Sequence, residues 1–307
     1  MKILVTGGAG YLGSVVVGEL LEGGHFVKVY DANGESLLPF YGHDNFEFIK
    51  GDIRNRSAVS QALDNVDAVV HLAAIVGDAL CSKNPELAKQ INQEATYALV
   101  DLCKKKEIPR FIFVTTCSVY GISEGIANED SSLKTTSPYT ETKVNAERYV
   151  LNEKDPNFHP CILRLATLYG LSPKPQFNSL ANELVWNAAF KKEIVIYGSD
   201  QWRPLTHVYD AARAIIKCLT VPLERISGQI FNVGSDSGNY RKIQIAKLIF
   251  KHFPDAKIKT VDDIKASRSY KVSFKRISTV LGFKTTKTLE DGIVEIKDAI
   301  EKGIIQK

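Results

Sequence analysis

Apolar runs of strand length alternate with longer amphipathic stretches from the first residues onward: KILVT gives way to YLGSVVVGELLEG, then FVKVYD and FEFIKGD follow. Short apolar runs mark strands and apolar positions at i, i+3 and i+4 mark helices. The pattern continues with a polar helix predicted over about 55–63, a strand in DAVVHLAA, a long helix over about 84–106, and RFIFVTT as strand. A helix over about 138–152 and a strand in CILRLATLYG complete the first half. This alternation predicts an α/β fold, a doubly wound parallel sheet with helices on both faces. Right-handed crossovers then place the ligand crevice at the carboxyl ends of the strands, where TGGAGYLG, HLAAIVG and TTCSVYG all fall.

Beyond Gly170 the rhythm loosens. LSPKPQFNSL is a loop with two prolines, a helix follows to about Phe190, and EIVIYG is a short strand. PLTHVYDAARAIIKCL and GQIFNVGS look like further sheet material, while 239–307 mixes short helices and strands. No repeat and no low-complexity tract interrupts the chain, and no clean linker divides it.

Composition narrows the chemistry. A chain of 307 residues with 44% hydrophobic content can fill a large core without disulfide or metal staples. The five cysteines, 81, 103, 117, 161 and 218, form no CxxC pair and have no paired histidine spacing, which points to reduced thiols and no metal site. A net charge of +4 is too mild for a nucleic-acid binder and suits an anionic small substrate. No charged n-region with a cleavable apolar segment and no apolar run of membrane-spanning length is present, so the expectation is a soluble, cytoplasmic protein with no membrane partner.

The glycine string carries the first chemistry. Gly7, Gly10 and Gly13 are spaced so that one permits a tight turn, one lets backbone amides approach phosphate, and one lets the helix pack closely on the strand. The string follows a strand, opens a helix, and is answered by Asp31 at the end of the second strand, where a carboxylate can bind ribose hydroxyls. That charge repels a 2′-phosphate, so NAD is expected over NADP. The second string is YTETK. Tyr139 and Lys143 lie four apart on one helical face, and Ser137 and Pro138 are placed as N-cap and first helical residue. The helix dipole, the ammonium and an oxidised nicotinamide would favour the phenolate, making Tyr139 a general base near neutral pH.

These strings, together with GDI at 51–53, HLAA at 71–74, Asn92, TTCSVYG at 115–121 and RPLTHVYD at 203–210, resemble the extended short-chain dehydrogenase/reductase family. More narrowly, the chain is similar to the NAD-dependent nucleotide-sugar epimerases and dehydratases. The resemblance implies a Rossmann domain over 1–170, with 191–235 contributing. It also implies an interleaved C-terminal α/β lobe for the nucleotide sugar, built from 171–190 and 236–307. It assigns Tyr11 and Leu12, beside the three glycines, and Asn92 to the cofactor site, with Asp52 and Ile53 flanking the adenine and Leu72, Ala73 and Ala74 lining the channel. Thr116 would hydrogen-bond the reacting sugar oxygen, Tyr139 would take the hydroxyl proton, and Lys143 would hold the nicotinamide ribose. Asn178, Arg203 and Arg268 would bind substrate, the arginines pairing with its diphosphate.

Departures from the family pattern carry further expectations. Cys117 and Ser118 stand where the 4,6-dehydratases carry Asp and Glu after the catalytic threonine, so dehydration is expected to be disfavoured. Thr167 stands where the family often has asparagine, and Asp78 lies in an unfamiliar loop as either a sugar contact or a solvated acid. His207 precedes a helix start at VYDAARA and is expected to pack or cap. The leading reading is C4 epimerisation of a nucleotide-diphosphate sugar through a 4-keto intermediate. A 4-reductase or C4 dehydrogenase is the enzymatic alternative, and a non-catalytic NAD-binding regulator the alternative of another class. By analogy with the family a homodimer is expected, formed through the helices at 84–106 and 137–152.

Overall fold

The computed structural model describes residues 1–261 and 268–306. Its first half runs β1 (Lys2–Thr6), α1 (Tyr11–Glu22), β2 (Phe26–Asp31), β3 (Phe46–Lys50), α2 (Arg56–Ala62), β4 (Ala68–His71), α3 (Asp78–Lys83), α4 (Pro85–Lys89), α5 (Ala95–Lys105) and β5 (Arg110–Thr116). Then come β6 (Ile122–Ala127), α6 (Pro138–Asn152), β7 (His159–Leu165), β8 (Thr167–Tyr169), α7 (Leu180–Lys191), β9 (Glu193–Tyr197), β10 (Trp202–His207), α8 (Val208–Thr220) and β11 (Gln229–Val233). The last stretch holds β12 (Asn239–Arg241), α9 (Lys242–His252), β13 (Lys257–Val261), β14 (Ser269–Val272), α10 (Lys275–Leu281) and α11 (Leu289–Glu301).

One seven-stranded sheet has the order β11-β7-β5-β4-β1-β2-β3, and every pairing in it is parallel. Successive side chains on a strand point to opposite faces, and the two cores follow that rule. Ile3, Val5, Ala68, Val70 and Ile112 join the layer of α1 and α8, whereas Leu4, Val69, Phe111 and Phe113 join that of α2, α5 and α6. Both faces are thus covered, which is why these strands are continuous apolar runs rather than alternating ones.

The predicted helix over 84–106 is present but interrupted. Between α4 and α5, Gln90–Glu94 form a π-helical turn, whose extra residue faces Asn92 into the protein. The stretch PLTHVYDAARAIIKCL, expected as sheet material, is strand only to His207. Val208, Ala211, Ala212, Ile215, Cys218 and Leu219 then recur at helical spacing and bury one face of α8 against α1. His207 caps that helix, its Nδ1 accepting the Tyr209 amide at 3.2 Å.

The second lobe is interleaved. β9 pairs with β13, β10 with β8 and β12, and β6 with β14. Of 191–235, expected in the dinucleotide-binding domain, α8 and β11 join the large sheet and its layers. β9 and β10 do not, because Ile194, Ile196 and Leu205 pack in a separate core with Leu184, Ile245 and Ile293. Buried Asp210 ties the layers together, accepting the Thr286 and Lys287 amides at 3.0 and 2.9 Å and pairing with Arg213 at 2.8 Å.

Candidate active site

Strand order reverses between β1 and β4, and connections leaving in opposite directions open a crevice there. A cleft of about 880 Å³ occupies it, walled by the glycine turn, Asp31, Asp52, Ile53, Leu72 to Ala74, Thr116, Tyr139, Lys143, Asn178 and Arg268. The glycine turn is built for close approach. Gly7 has φ +72°, and a Cβ there would lie 2.5 Å from the Ala73 nitrogen; a Cβ on Gly13 would lie 2.2 Å from the Gly7 oxygen. The first helical bond of α1 runs from the Ser14 amide to the Gly10 oxygen at 3.0 Å. The amides of Tyr11, Leu12 and Gly13 precede it and face the positive end of the helix, a ready seat for a pyrophosphate. Backbone cradle and acidic partner together fit a dinucleotide.

Asp31 stands at the end of β2, where its carboxylate accepts the Ala9 and Asn33 amides at 3.0 and 3.1 Å and is held at the crevice. Asp52 and Ile53 lie beside it. The Arg54 guanidinium, bonded to Asp52 through Nε at 3.0 Å, holds that carboxyl below its usual range. Asn92 does not wall the cleft. Its side-chain amide brackets Ile75 instead, Oδ1 accepting the Ile75 amide at 2.7 Å and Nδ2 donating to the Ile75 oxygen at 2.9 Å, so it fixes the loop after Leu72–Ala74.

The second string folds as its spacing requires. Ser137 caps α6 in a reciprocal box with Thr140, Pro138 takes the first turn, and Tyr139 and Lys143 are both buried on one face. Thr116, extended at the end of β5, accepts the Ser118 amide at 3.1 Å and lies beside Tyr139 at the cleft. The phenolate expected from dipole and ammonium is not favoured by the protein's own groups. Burial pushes the Tyr139 phenol up, and the lowering influence of the Thr116 hydroxyl offsets this only in part. The Lys143 ammonium sits 4.4 Å from the centroid of the Phe113 ring, and burial pushes it down to about 7 against the raising influence of Glu147.

The substrate end differs from expectation. Asp78 is part-exposed and already engaged: it accepts the Ser137 hydroxyl at 2.6 Å and pairs with Arg268. Arg268 reaches the cleft, whereas Arg203 lies behind it, half-buried. The Arg203 Nη1 donates to the Trp202 and Arg268 oxygens at 2.8 and 2.6 Å, and its guanidinium stacks on Tyr270 at 5.7 Å. Thr167 and Ser118 line the cleft, and buried Cys117 donates to the Arg164 oxygen at 3.2 Å. Two residues escaped sequence reasoning. Asn182 donates to Tyr11 Oη at 3.1 Å and accepts the Gly170 amide at 3.0 Å, and Tyr270 meets Ser118 Oγ at 3.3 Å. Neither lies in a recognisable string, so only the approach of distant segments reveals them.

A glycine cradle at a topological switch point, facing half-buried Thr116 and buried Tyr139 and Lys143, defines a dinucleotide-dependent oxidoreductase site. Residues 3–234 match the NAD dependent epimerase/dehydratase family, and the chain belongs to it. NAD is the cofactor of this family. Among similar proteins is an uncharacterized UDP-glucose epimerase of Bacillus subtilis, 33% identical over 252 residues, 76% of this chain and 77% of that protein. A dTDP-glucose 4,6-dehydratase of Streptomyces niveus is 27% identical over 322 residues, 96% and 91% of the two chains. The structure of UDP-glucuronic acid 4-epimerase from Bacillus cereus, in complex with UDP-glucuronic acid and NAD, superposes with a TM-score of 0.86 at 28% identity, covering 98% and 99%. The dehydratase match spans nearly the whole chain and overturns the expectation that dehydration is disfavoured. The residue types at 117 and 118 do not decide that question. No helix among the described residues is long and apolar enough to cross a membrane.

Proposed function

We propose that the protein epimerises a nucleotide-diphosphate sugar at C4 through a 4-keto intermediate. The observation that carries this reading is the convergence of Thr116, Tyr139 and Lys143 on the cleft that also holds the glycine turn. When bound, NAD supplies the hydride acceptor for C4 and the hydride donor to its opposite face. Tyr139 takes the C4 hydroxyl proton and returns it after the sugar turns in the pocket. Thr116 aligns the reacting oxygen through its hydroxyl, and Lys143 holds the nicotinamide ribose and stabilises the Tyr139 phenolate. Arg268 at the cleft wall offers a forked donor to the diphosphate, with Arg203 bracing its backbone. The 4-epimerase among the similar structures supports C4 as the reacting centre.

The test is an NMR panel of UDP-, GDP-, dTDP- and CDP-sugars incubated with the enzyme, with Tyr139→Phe alongside. A C4 epimer from one of them, formed orders of magnitude more slowly by Tyr139→Phe, is the expected result. A 6-deoxy-4-keto product, or an accumulating 4-keto sugar with stoichiometric cofactor reduction, overturns the epimerase reading.

A further inference from the structure

Beneath the cleft lies a buried polar network that the reaction as described does not use. Glu147 follows Lys143 by four residues on α6, on the same inward face, and both are buried. Arg164, on β7, grips the Glu147 carboxylate through Nε at 3.1 and 3.2 Å and through Nη2. Its Nη1 donates to Tyr120 Oη at 2.9 Å and to the Glu129 oxygen at 3.2 Å, and the Tyr120 hydroxyl donates to Asn232 Oδ1 at 2.7 Å. The Arg164 backbone oxygen accepts the Cys117 thiol, next to Thr116.

The groups around Lys143 make Glu147 its source of negative charge. From its own helix face come Tyr139, protonated because burial pushes the phenol up, and Glu147. From β4 comes His71, bonded to Thr6 Oγ at 2.6 Å and Thr96 Oγ at 2.9 Å and kept neutral by burial and the Lys143 charge. From α3 comes the Cys81 thiol, also raised by burial, and from β5 the uncharged Phe113 ring. An ammonium in such a place needs a partner charge, and Arg164 is what holds that carboxylate in place.

We propose that Glu147, clamped by Arg164, is a positioning residue that keeps Lys143 an ammonium and so sets the pH range over which the site holds NAD and moves a proton. Glu147 touches neither substrate nor cofactor; it acts through Lys143. The inference rests on the role of Lys143 proposed above and on NAD binding, and is independent of which sugar is turned over.

The test is NAD affinity by calorimetry from pH 5 to 10, for wild type, Glu147→Gln, Glu147→Asp and Lys143→Met. Affinity for wild type should decline as Lys143 loses its proton. In Glu147→Gln the onset should move down by roughly one pH unit, the order expected for losing a neighbouring opposite charge. Glu147→Asp, which keeps the charge, should restore the wild-type onset, and Lys143→Met should lose the transition. An affinity lowered equally at every pH, with the onset unmoved, makes the pair a structural brace and overturns the proposal. So does a transition that survives Lys143→Met. If Glu147→Gln does not fold, the double variant Glu147→Gln/Arg164→Met removes the stranded charge and carries the same test, a lowered onset supporting the proposal and an unmoved one refuting it. Failure of the sugar panel would leave all these NAD titrations interpretable.

Discussion

Lys143 should make the stability of the protein rise with pH in a window where most surface lysines have no such effect. Its side chain is 4% exposed, and burial brings its titration down to about 7 from an ordinary value of 10.5. Below pH 7 both folded and unfolded chains hold the proton, and the folded chain bears the full penalty of a buried ammonium. Between 7 and 10.5 the folded chain has released the proton while the unfolded chain keeps it, so unfolding takes up a proton and stability climbs with pH. At about 1.4 kcal/mol per pH unit, the rise across the window is on the order of 4–5 kcal/mol. Urea unfolding of the cofactor-free protein from pH 6 to 10.5, compared with Lys143→Met, isolates this contribution, because other titrating groups cancel in the difference. The wild-type stability should gain on the Met variant by that amount as pH rises. A difference that stays flat, or that shrinks, refutes the account of Lys143 as a desolvated ammonium.

Three further outcomes are expected. Gly13→Ala forces a methyl against the Gly7 oxygen and the Gly8 Cα, which are backbone and cannot step aside; it should cost about 1–3 kcal/mol and abolish measurable NAD binding, and an unchanged titration would refute the cradle. Asp210→Asn points a donor at the Thr286 and Lys287 amides and should cost about 2–3 kcal/mol in thermal or urea unfolding; a loss below about 0.5 kcal/mol would show that this tie between layers is dispensable. Asp31→Ser removes the charge that opposes a 2′-phosphate, and the NAD to NADP affinity ratio should fall about tenfold or more, equivalent to ~1.4 kcal/mol; an unaltered ratio places cofactor choice elsewhere.

The sheet and the cofactor end of the site were legible because their determinants are local. A strand, a glycine turn, a helix start and an acid at the next strand's end lie within Lys2–Asp31, and Tyr139 and Lys143 are one helical turn apart. Asn92 was recognisable as a motif residue, but its work, bracketing Ile75 from a π-helical turn, depends on an irregularity that apolar periodicity does not register. The start of α8 at VYDAARA was legible, but its extent was not, because the stretch is apolar enough to pass for strand. The substrate end was the least legible. Arg203 stands behind Arg268 rather than beside it, and Asp78 is engaged by Ser137 and Arg268, because those contacts join segments from 59 to 190 residues apart.

By itself the sequence determined the doubly wound sheet, the dinucleotide turn and the pairing of Tyr139 with Lys143, since each follows from spacing within one strand, turn or helix. Only the tertiary structure decided the protonation landscape of the site. The helix dipole and the lysine favour a Tyr139 phenolate on paper, but burial of both side chains outweighs them, lifting the phenol and lowering the ammonium. Whether Lys143 has a counter-charge depends on Arg164 of β7 gripping Glu147 of α6, a contact between residues that no periodicity connects. Desolvation and long-range ion pairing are properties of the packed molecule, and they come into being only when the chain has folded around them.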